Sequence, residues 1–158
     1  MESTTPVTIL PREQLAEQAG RKFEPGSWIT LDQERINAFA DCTGDHQFIH
    51  VDEEKAAETP FGGTIAHGML TLSMLAEMSQ EDGIAPDDMA MGLNYGFDKV
   101  RFLAPVRAGK RIRPHIEVIS VDQKDDKRFL IKQKVTVEIE GEDIPALVAE
   151  FLLMTISN

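Results

Sequence analysis

One stretch of the chain, residues 66–81, is apolar on nearly every side when it is drawn as a helix. Its large apolar side chains belong to Met69, Leu70, Leu72, Met74, Leu75 and Met78. A helix that is apolar all round is buried rather than laid on the outside of a domain. The sequence therefore predicts one long helix enclosed by other elements, followed by Gly83 and by a loop at residues 86–89.

The elements that enclose this helix are expected to follow it in the sequence. Most of the remaining chain has alternating or continuous apolar residues, which is the pattern of strands. The predicted strands span residues 100–103, 112–121, 128–140 and 146–156, with turn-forming residues between them. Because short links join antiparallel neighbours, this pattern predicts an α+β fold in which an antiparallel sheet wraps around the helix.

The N-terminal part of the chain contributes shorter elements. Residues 1–9 are polar and are expected to be loosely held, and residues 11–20 are expected to form a short helix. A short strand is predicted at residues 27–31. We therefore assign residues 1–26 to an N-terminal extension and residues 27–158 to a single domain.

A further helix is predicted between that strand and the apolar helix, over residues 32–42. Thr30 and Gln33 have the spacing of a capping box at its start. Gly44 can adopt the left-handed conformation that ends a helix. This ending predicts a turn at residues 45–49.

The composition limits the classes of function. The formal net charge is −11, whereas general binding to nucleic acid or to anionic membranes needs a basic surface. No apolar run approaches the roughly 20 residues of a membrane span, and the first residues lack the features of a signal peptide. The single cysteine, Cys42, fits a reducing compartment. We expect a cytoplasmic protein with no nucleic-acid or membrane partner.

A candidate acid–base pair follows Gly44, since Asp45 comes next and His50 lies five residues further on. Taken singly, Asp45 is most simply a turn aspartate and His50 a structural histidine. Together, a carboxylate and an imidazole across a turn can hold one water molecule and exchange protons with it. No metal site is predicted, because the nearby His46 and Asp52 supply no cysteine or paired-histidine framework.

A second candidate feature lies at the start of the apolar helix, where His67 precedes Gly68. A glycine lowers helix stability, so its presence here indicates a close approach to the backbone. The N–H of Gly68 would donate to an oxygen that gains negative charge. Tight packing between helix and sheet is the alternative explanation. His67 would either support the site or act as a polar cap.

Positive charge is concentrated between residues 99 and 113, where the chain has no acidic residue. The cationic residues are Lys99, Arg101, Arg107, Lys110, Arg111 and Arg113. Solvated strand ends and a hairpin tip explain such a run. A local phosphate-binding patch on an otherwise acidic protein is the alternative.

These segments resemble the MaoC-like dehydratases, the group of (R)-specific enoyl-CoA hydratases, and within it the nodulation-protein-N-like branch. The resemblance is strongest over residues 39–50 and 61–72 and continues to the C-terminus. The family motif Gly-Asp-x-Asn-Pro-hydrophobic-His places its catalytic residues on Asp45 and His50. The oxyanion glycine of the family, in a His-Gly-Met context, corresponds to Gly68.

One departure from the family motif concerns the substrate. The usual Asn-Pro pair is Gln47 and Phe48 in this chain. Gln47 keeps an amide that can hydrogen-bond near the site, but its extra methylene changes its reach. The departure therefore affects the expected substrate preference more than the expected reaction, and Gln47 and His67 join Gly68 as candidate substrate-binding residues.

The resemblance implies a hot-dog fold, a homodimer with its sites near the subunit interface, and acyl thioesters of coenzyme A as substrates. The implied reaction is the reversible hydration of a trans-2-enoyl-CoA to a (3R)-3-hydroxyacyl-CoA, with no cofactor and no metal. Lys99, Arg101, Arg107 and Lys110 become weak candidates for contacts with the coenzyme A phosphates.

Two other functions remain compatible with the same residues. Since one fold hosts several chemistries, the chain could be an acyl-CoA thioesterase in which Asp45 activates water against the thioester carbonyl. It could also be a non-catalytic module that binds acyl thioesters, in which Asp45 and His50 only stabilise the fold.

Overall fold

The computed structural model describes residues 7–158. Its strands are β1 (Thr8–Leu10), β2 (Ile29–Thr30), β3 (Ile84–Pro86), β4 (Met89–Phe102), β5 (Arg111–Gln123), β6 (Arg128–Ile139) and β7 (Leu147–Ser157). Its helices are α1 (Gln33–Thr43), α2 (Phe48–Val51), α3 (Glu53–Ala57), α4 (Gly68–Ser73) and α5 (Leu75–Glu81), with 3₁₀ turns at Arg12–Gln14 and Ala16–Gln18. Within residues 7–158, no helix is long and apolar enough to cross a membrane.

The main sheet has the strand order β2-β5-β6-β7-β4, and every neighbouring pair is antiparallel. Alternate side chains of its central strands are buried, among them Ile112, Ile116, Ile131, Val135, Val137, Leu147, Ala149 and Phe151. This is the period of strands with one buried face. That face packs against Leu70, Leu75 and Met78 of the helical layer. The predicted α+β arrangement of a sheet curled around a helix is confirmed.

Strand β4 differs from the prediction in its length and its neighbour. It begins at Met89, so the loop expected at residues 86–89 is confirmed but is reduced to a turn at Asp87 and Asp88. It pairs with β7, so the expected pairing with the following strand was wrong. The link between β4 and β5 is no hairpin, because it bonds to the segment before α4. The N–H of Ala66 donates to Val106 O at 2.7 Å, and the N–H of Ala108 donates to Thr64 O at 3.0 Å.

The N-terminal segment is more ordered than its polarity suggests. Residues 8–10 form β1, which pairs in parallel with β3, and the N–H of Thr8 donates to Gly83 O at 2.9 Å. The expectation of a loose segment was therefore wrong for these residues, while residues 1–6 lie outside the described part. The helix expected at residues 11–20 is a pair of 3₁₀ turns that bury Leu15 completely.

The start of α1 differs from the prediction, whereas its end agrees with it. Its first turn is capped by Asp32, whose Oδ1 accepts the N–H of Arg35 at 2.8 Å, so the capping box expected from Thr30 and Gln33 was wrong. Its end at Gly44 is confirmed, because Gly44 has a φ of 83°. The turn expected after it is shorter than predicted, since α2 begins within it.

The apolar helix is divided in two at Met74, which lies between α4 and α5. Leu70, Leu75 and Met78 are buried against the sheet, as the pattern predicted. Met69 is 59% exposed, so the expectation of burial on nearly every side was wrong for this residue. Apolar surface on this side of α4 is left uncovered by the chain itself.

Asp82, the residue after α5, places a carboxylate in the interior with only 6% of its surface exposed. Burial raises the pKa of Asp82, and the neighbouring charge of Glu81 raises it further. Its position at a helix C-terminus adds an unfavourable interaction with the helix dipole. The pKa of Asp82 is therefore higher in the folded state than in the unfolded state. Between these two pKa values the folded state binds more protons, so the free energy of unfolding falls as the pH rises through this range.

We expect Asp82→Asn to raise Tm by a few degrees at pH 7, because it removes a buried charge. The gain should shrink as the pH falls towards about 4, where the unfolded aspartate also becomes protonated. Thermal unfolding at a series of pH values measures this. The exposed Asp87→Asn is the matched control. An equal gain at every pH, or one shared by Asp87→Asn, would contradict the explanation.

Candidate active site

The Gly44 turn and the short helix α2 bring Asp45 and His50 together. Asp45 is exposed, and its Oδ1 accepts the backbone N–H of Gln47 at 3.3 Å. His50, near the end of α2, is only 7% exposed. One side-chain donor or acceptor atom from each of Asp45, His50 and His67 lies within 4.8 Å of the others. The predicted pair is thus adjacent in space, and His67 belongs to the same cluster.

The orientation of His50 is set by one hydrogen bond. Its Nδ1 lies 2.7 Å from the carbonyl oxygen of Ile65. A carbonyl oxygen only accepts, so Nδ1 is assigned the proton, and the neutral ring keeps its lone pair on Nε2. His50 also lines a cavity of about 290 Å³. The ring is therefore arranged to exchange a proton through Nε2.

His67 contacts both of the other members of this cluster. It is 2% exposed, and its Nε2 donates to the backbone oxygen of Asp45 at 2.9 Å. Its ring stacks on His50 with centroids 3.9 Å apart, and Phe39 lies 4.9 Å away on another side. Its Nδ1 is buried and has no hydrogen-bond partner within the described chain. His67 thus holds the backbone of Asp45 and one face of His50.

The cluster of one carboxylate and two imidazoles has the donor set of a metal site, but its geometry fits a metal poorly. The planes of His50 and His67 differ by only 26°. The nitrogen lone pairs of an imidazole lie in the ring plane, so two stacked rings direct them side by side rather than to one point. The geometry suits a water molecule between Asp45 and His50 better.

Gly68 begins α4 and lines the same cavity as His50. As the first helical residue, it has a backbone N–H with no acceptor inside the helix. A Cβ at this position would lie 3.1 Å from two ring atoms of Phe102. The missing side chain therefore allows both a close contact with β4 and a close approach to the N–H, so both explanations of this glycine find support.

The remaining wall of this cavity, which we call the active-site cavity, is largely apolar. It is formed mainly by Phe61, Ile65, Phe102, Leu103, Val106 and Ala146. Gln47 is exposed and precedes α2, and its side chain makes no capping bond there. The structure thus brings Gly68 to the site with His50, while it leaves the Gln47 side chain in solvent.

The sequence analysis missed a polar network behind His50. Gln33 Nε2 donates to the backbone oxygen of His50 at 2.7 Å. The hydroxyl of Thr64, which is 1% exposed, lies 2.5 Å from Gln33 Oε1 and 2.7 Å from Glu53 Oε2. Hydrogen bonds from the side chain and the backbone N–H of Thr64 lower the pKa of Glu53. These residues are too distant in sequence for a local pattern to connect them.

Arg107 extends the network on the other side of the same turn. Its Nη1 donates to the backbone oxygen of Phe61 at 2.6 Å. A Cβ on Gly63 would overlap the guanidinium of Arg107 and lie 2.7 Å from Glu53 Oε1. The turn therefore packs closely around the guanidinium of Arg107. Ile65 follows this turn, and its carbonyl oxygen orients His50.

The other cationic residues are mostly paired with carboxylates. Lys99 lies 3.4 Å from Glu150, and Lys110 lies 3.5 Å from Glu142. Arg111 pairs with Glu140 and Arg113 with Glu138. Arg101 is exposed and donates to the carbonyl of Val100. Most of the positive charge that the sequence concentrates here is thus neutralised across strands.

The sequence model of the family described as MaoC like domain matches residues 14–141. The chain belongs to the MaoC-like family. It is 47% identical over 134 residues to nodulation protein N of Rhizobium leguminosarum bv. viciae, covering 84% of this chain and 83% of that protein. It is 44% identical over 139 residues to 3-hydroxyacyl-thioester dehydratase Z of Mycobacterium tuberculosis, covering 88% and 91% of the two chains.

Solved structures of this MaoC-like group share the fold. The monoamine oxidase regulatory protein of Archaeoglobus fulgidus superposes with a TM-score of 0.76 at 27% identity, over 97% of this chain and 99% of that one. An (R)-hydratase from A. caviae superposes with a TM-score of 0.69 at 23% identity, over 85% and 94%. The hot-dog fold and the family resemblance predicted from the sequence are confirmed.

Proposed function

We propose that this MaoC-like protein is an (R)-specific enoyl-CoA hydratase, which adds water reversibly to a trans-2-enoyl thioester. The observation that carries the proposal is the position of His50, which has Asp45 within 4.8 Å and lines one apolar cavity together with Gly68. Relatives named 3-hydroxyacyl-thioester dehydratase and (R)-hydratase support it.

Gly68 would act on the thioester carbonyl. The carbonyl oxygen accepts the N–H at the start of α4, and this hydrogen bond strengthens as negative charge moves onto the oxygen. One such donor contributes about 3–4 kcal/mol in measured oxyanion holes. The apolar wall keeps bulk water away from the reacting atoms, which makes the interaction stronger than in water.

Asp45 and His50 would act as a pair in the proton transfers to and from the water molecule. The water oxygen forms a bond to C3 while the electrons of the C2–C3 double bond move towards the carbonyl oxygen. One proton passes from the water to the pair, and one passes from the pair to C2 as the double-bond electrons return to form the C–H bond. Hydration leaves the overall oxidation level unchanged, so it needs no redox cofactor. We propose that no metal takes part either, because the stacked rings of His50 and His67 do not direct their lone pairs to one point.

The test is the absorbance of the enoyl thioester of crotonyl-CoA together with a thiol-trapping reagent. We expect the absorbance to fall without release of thiol, the product to be the (3R) isomer, and the rate to be unchanged by EDTA. Release of thiol would establish the thioesterase instead. Binding of acyl thioesters without turnover at any chain length would establish the binding module.

We expect Gly68→Ala to lower kcat/KM for crotonyl-CoA by at least about tenfold. The new methyl group crowds the N–H that the carbonyl must approach, and it contacts the ring of Phe102. Unfolding free energy should change by less than about 1 kcal/mol, because alanine favours the helix by a similar amount and Phe102 is exposed enough to shift. Steady-state kinetics and denaturant unfolding measure the two effects. A fall in stability without a fall in kcat/KM would assign Gly68 to packing alone.

The coenzyme A carrier is part of the proposal. Arg101 is the best placed cation for a phosphate of the carrier, since it is exposed and adjoins Phe102, which lines the active-site cavity. Lys99 and Lys110 are engaged in ion pairs, and Arg107 is held by the carbonyl of Phe61. We also propose a cytoplasmic location, in keeping with a coenzyme A substrate.

We further propose a homodimer formed through β4, which lies at the edge of the main sheet. An edge strand has unpaired backbone groups that favour pairing with another chain. Six of its large apolar side chains are between 39% and 63% exposed, namely Met89, Met91, Leu93, Tyr95, Phe97 and Phe102. A second copy of the chain would cover them.

We expect Met91→Lys combined with Tyr95→Lys to convert the dimer to a monomer at micromolar concentration, because it places charges within the apolar edge. Light scattering after gel filtration measures the mass. The control is Ile119→Lys, a half-exposed apolar residue on β5, away from that edge. A wild-type monomer, or a dimer that survives the double substitution, would contradict this interface.

A further inference from the structure

A second cavity, of about 410 Å³, lies between α5 and the strands β3, β4, β6 and β7. We call it the far cavity. Its apolar wall is formed by Ile84, Leu93, Ile131, Leu153 and Met154 among others. Its polar lining side chains are Ser79, Gln80, Asn94 and Thr155, and no charged side chain of the described chain lines it. The far cavity therefore suits an apolar ligand that has an uncharged polar group.

Buried polar atoms without partners lie at the far cavity. Thr155 lines it, is 4% exposed, and its Oγ1 has no hydrogen-bond partner in the described chain. Opposite Thr155 in the sheet is Gly92, which leaves room beside the hydroxyl because it has no side chain. Burying a polar group without a partner costs free energy, so such a group indicates a missing partner.

Gln133 adds two more such atoms beside the same wall. It is completely buried, and neither its Oε1 nor its Nε2 has a partner within residues 7–158. It lies two residues from Ile131 on the same buried face of β6. A Cβ on Gly83, the residue before Ile84, would be 3.2 Å from its Nε2. The amide thus lies next to the residue that precedes Ile84, although Gln133 does not itself line the far cavity.

The far cavity and the active-site cavity border the same helical layer and the same strand, β4. Gly68 and Thr71 line the active-site cavity, whereas Ala76 and Ser79 line the far one. Phe102 of β4 lines the active-site cavity, and Leu93 of the same strand lines the far one. At 1.5 Å per residue, Gly68 and Ser79 are roughly 16 Å apart along the helical direction. The far cavity thus lies within the length of a long acyl chain, measured from Gly68.

We propose that the far cavity holds the distal part of a long acyl chain and recognises an uncharged oxygen substituent on it, a hydroxyl or keto group, through Thr155. This inference rests on the proposed hydratase activity. The hydroxyl of Thr155 both donates and accepts a hydrogen bond, so it can pair with either group. An unsubstituted alkyl chain fills the space but leaves this hydroxyl unpaired, and a carboxylate is disfavoured because the lining has no cation.

The experiment compares trans-2-enoyl-CoA substrates of increasing length, each in an unsubstituted form and a form with a terminal hydroxyl. We expect equal kcat/KM for short pairs and a five- to tenfold preference for the hydroxylated form among long ones, the size that one neutral hydrogen bond provides. Thr155→Val removes the hydroxyl at nearly constant volume and should reduce this ratio towards one. Thr136→Val, on the opposite face of β6, should leave the ratio unchanged.

The outcomes separate this inference from the proposed activity. If crotonyl-CoA is hydrated but no long pair shows a preference, recognition in the far cavity is wrong and the hydratase stands. If the preference exists but survives Thr155→Val, this hydroxyl does not provide it and the inference is also wrong. Failure to hydrate any enoyl-CoA would overturn both. The wild-type ratio needs no variant, so a misfolded Thr155→Val leaves the test intact.

Discussion

Replacing Asp45 by asparagine should lower kcat/KM for crotonyl-CoA by a factor of about 10²–10⁴, the usual contribution of acid–base catalysis. The carboxylate is exposed, and the hydrogen bond that its Oδ1 accepts from the N–H of Gln47 can be kept by the asparagine oxygen. The substitution therefore removes charge and proton transfer with little structural change. A loss of rate with an unchanged Tm would report chemistry rather than folding.

His50→Asn should give a similar loss for a complementary reason. The amide nitrogen of asparagine takes about the position of Nδ1, so the hydrogen bond to Ile65 O is kept while Nε2 is lost. The control is His46→Gln in the same turn. His46 is exposed and bonds Asp41 at 2.9 Å, which raises the pKa of its imidazole, and it lies outside the cluster. Retention of more than a tenth of the wild-type kcat/KM in either site variant would contradict the paired mechanism.

The parts of the site that the sequence predicted are those that are local in the chain. Gly44, Asp45 and His50 lie within a few residues of one another, so a helix end and a turn are enough to bring them together. Gly68 was identified because a glycine lowers the stability of a helix, so its presence in an apolar helix indicates a close approach to the backbone. The resemblance to a known family supplied the roles that spacing alone left open.

The parts that were missed depend on contacts between distant segments. Gln33 lies in α1, Glu53 lies in α3 and Thr64 lies in the loop before α4, so no local pattern links them before the chain is folded. The parallel pairing of β1 with β3 and the crossover between β4 and β5 have the same origin. Short links usually join neighbouring strands. The link between β4 and β5 instead forms backbone hydrogen bonds with the segment before α4, and the two strands are not neighbours.

An apolar pattern predicts that a side chain is buried, but it does not distinguish burial within the chain from burial against a second chain. Met69 lies in the apolar helix that the pattern predicts to be buried, yet it is 59% exposed in the single chain. Tyr95, on the edge strand β4, is 63% exposed. A second copy of the chain would complete the burial that the sequence pattern indicates.

Gly63→Ala should lower the free energy of unfolding by about 2–4 kcal/mol, which combines backbone strain with a steric clash. Gly63 has a φ of 156°, and a Cβ there would overlap the guanidinium of Arg107 and lie 2.7 Å from Glu53 Oε1. The ends of the Arg107 and Glu53 side chains must move away, or the turn itself must shift, to accept it. Because Thr64 and Ile65 follow directly, a shift of the turn also moves the carbonyl that orients His50, and we then expect kcat to fall as well.

Gly109→Ala isolates the clash from the strain. Gly109 also has a positive φ, 89°, but a Cβ there would meet nothing within 4 Å. Its variant should lose about 1 kcal/mol and keep its kcat. Denaturant unfolding and crotonyl-CoA kinetics of Gly63→Ala, Arg107→Ala and the double variant then form a double-mutant cycle. A favourable coupling energy in the double variant would show that the turn is closed around the arginine, and equal losses at Gly63 and Gly109 would show that only backbone conformation matters.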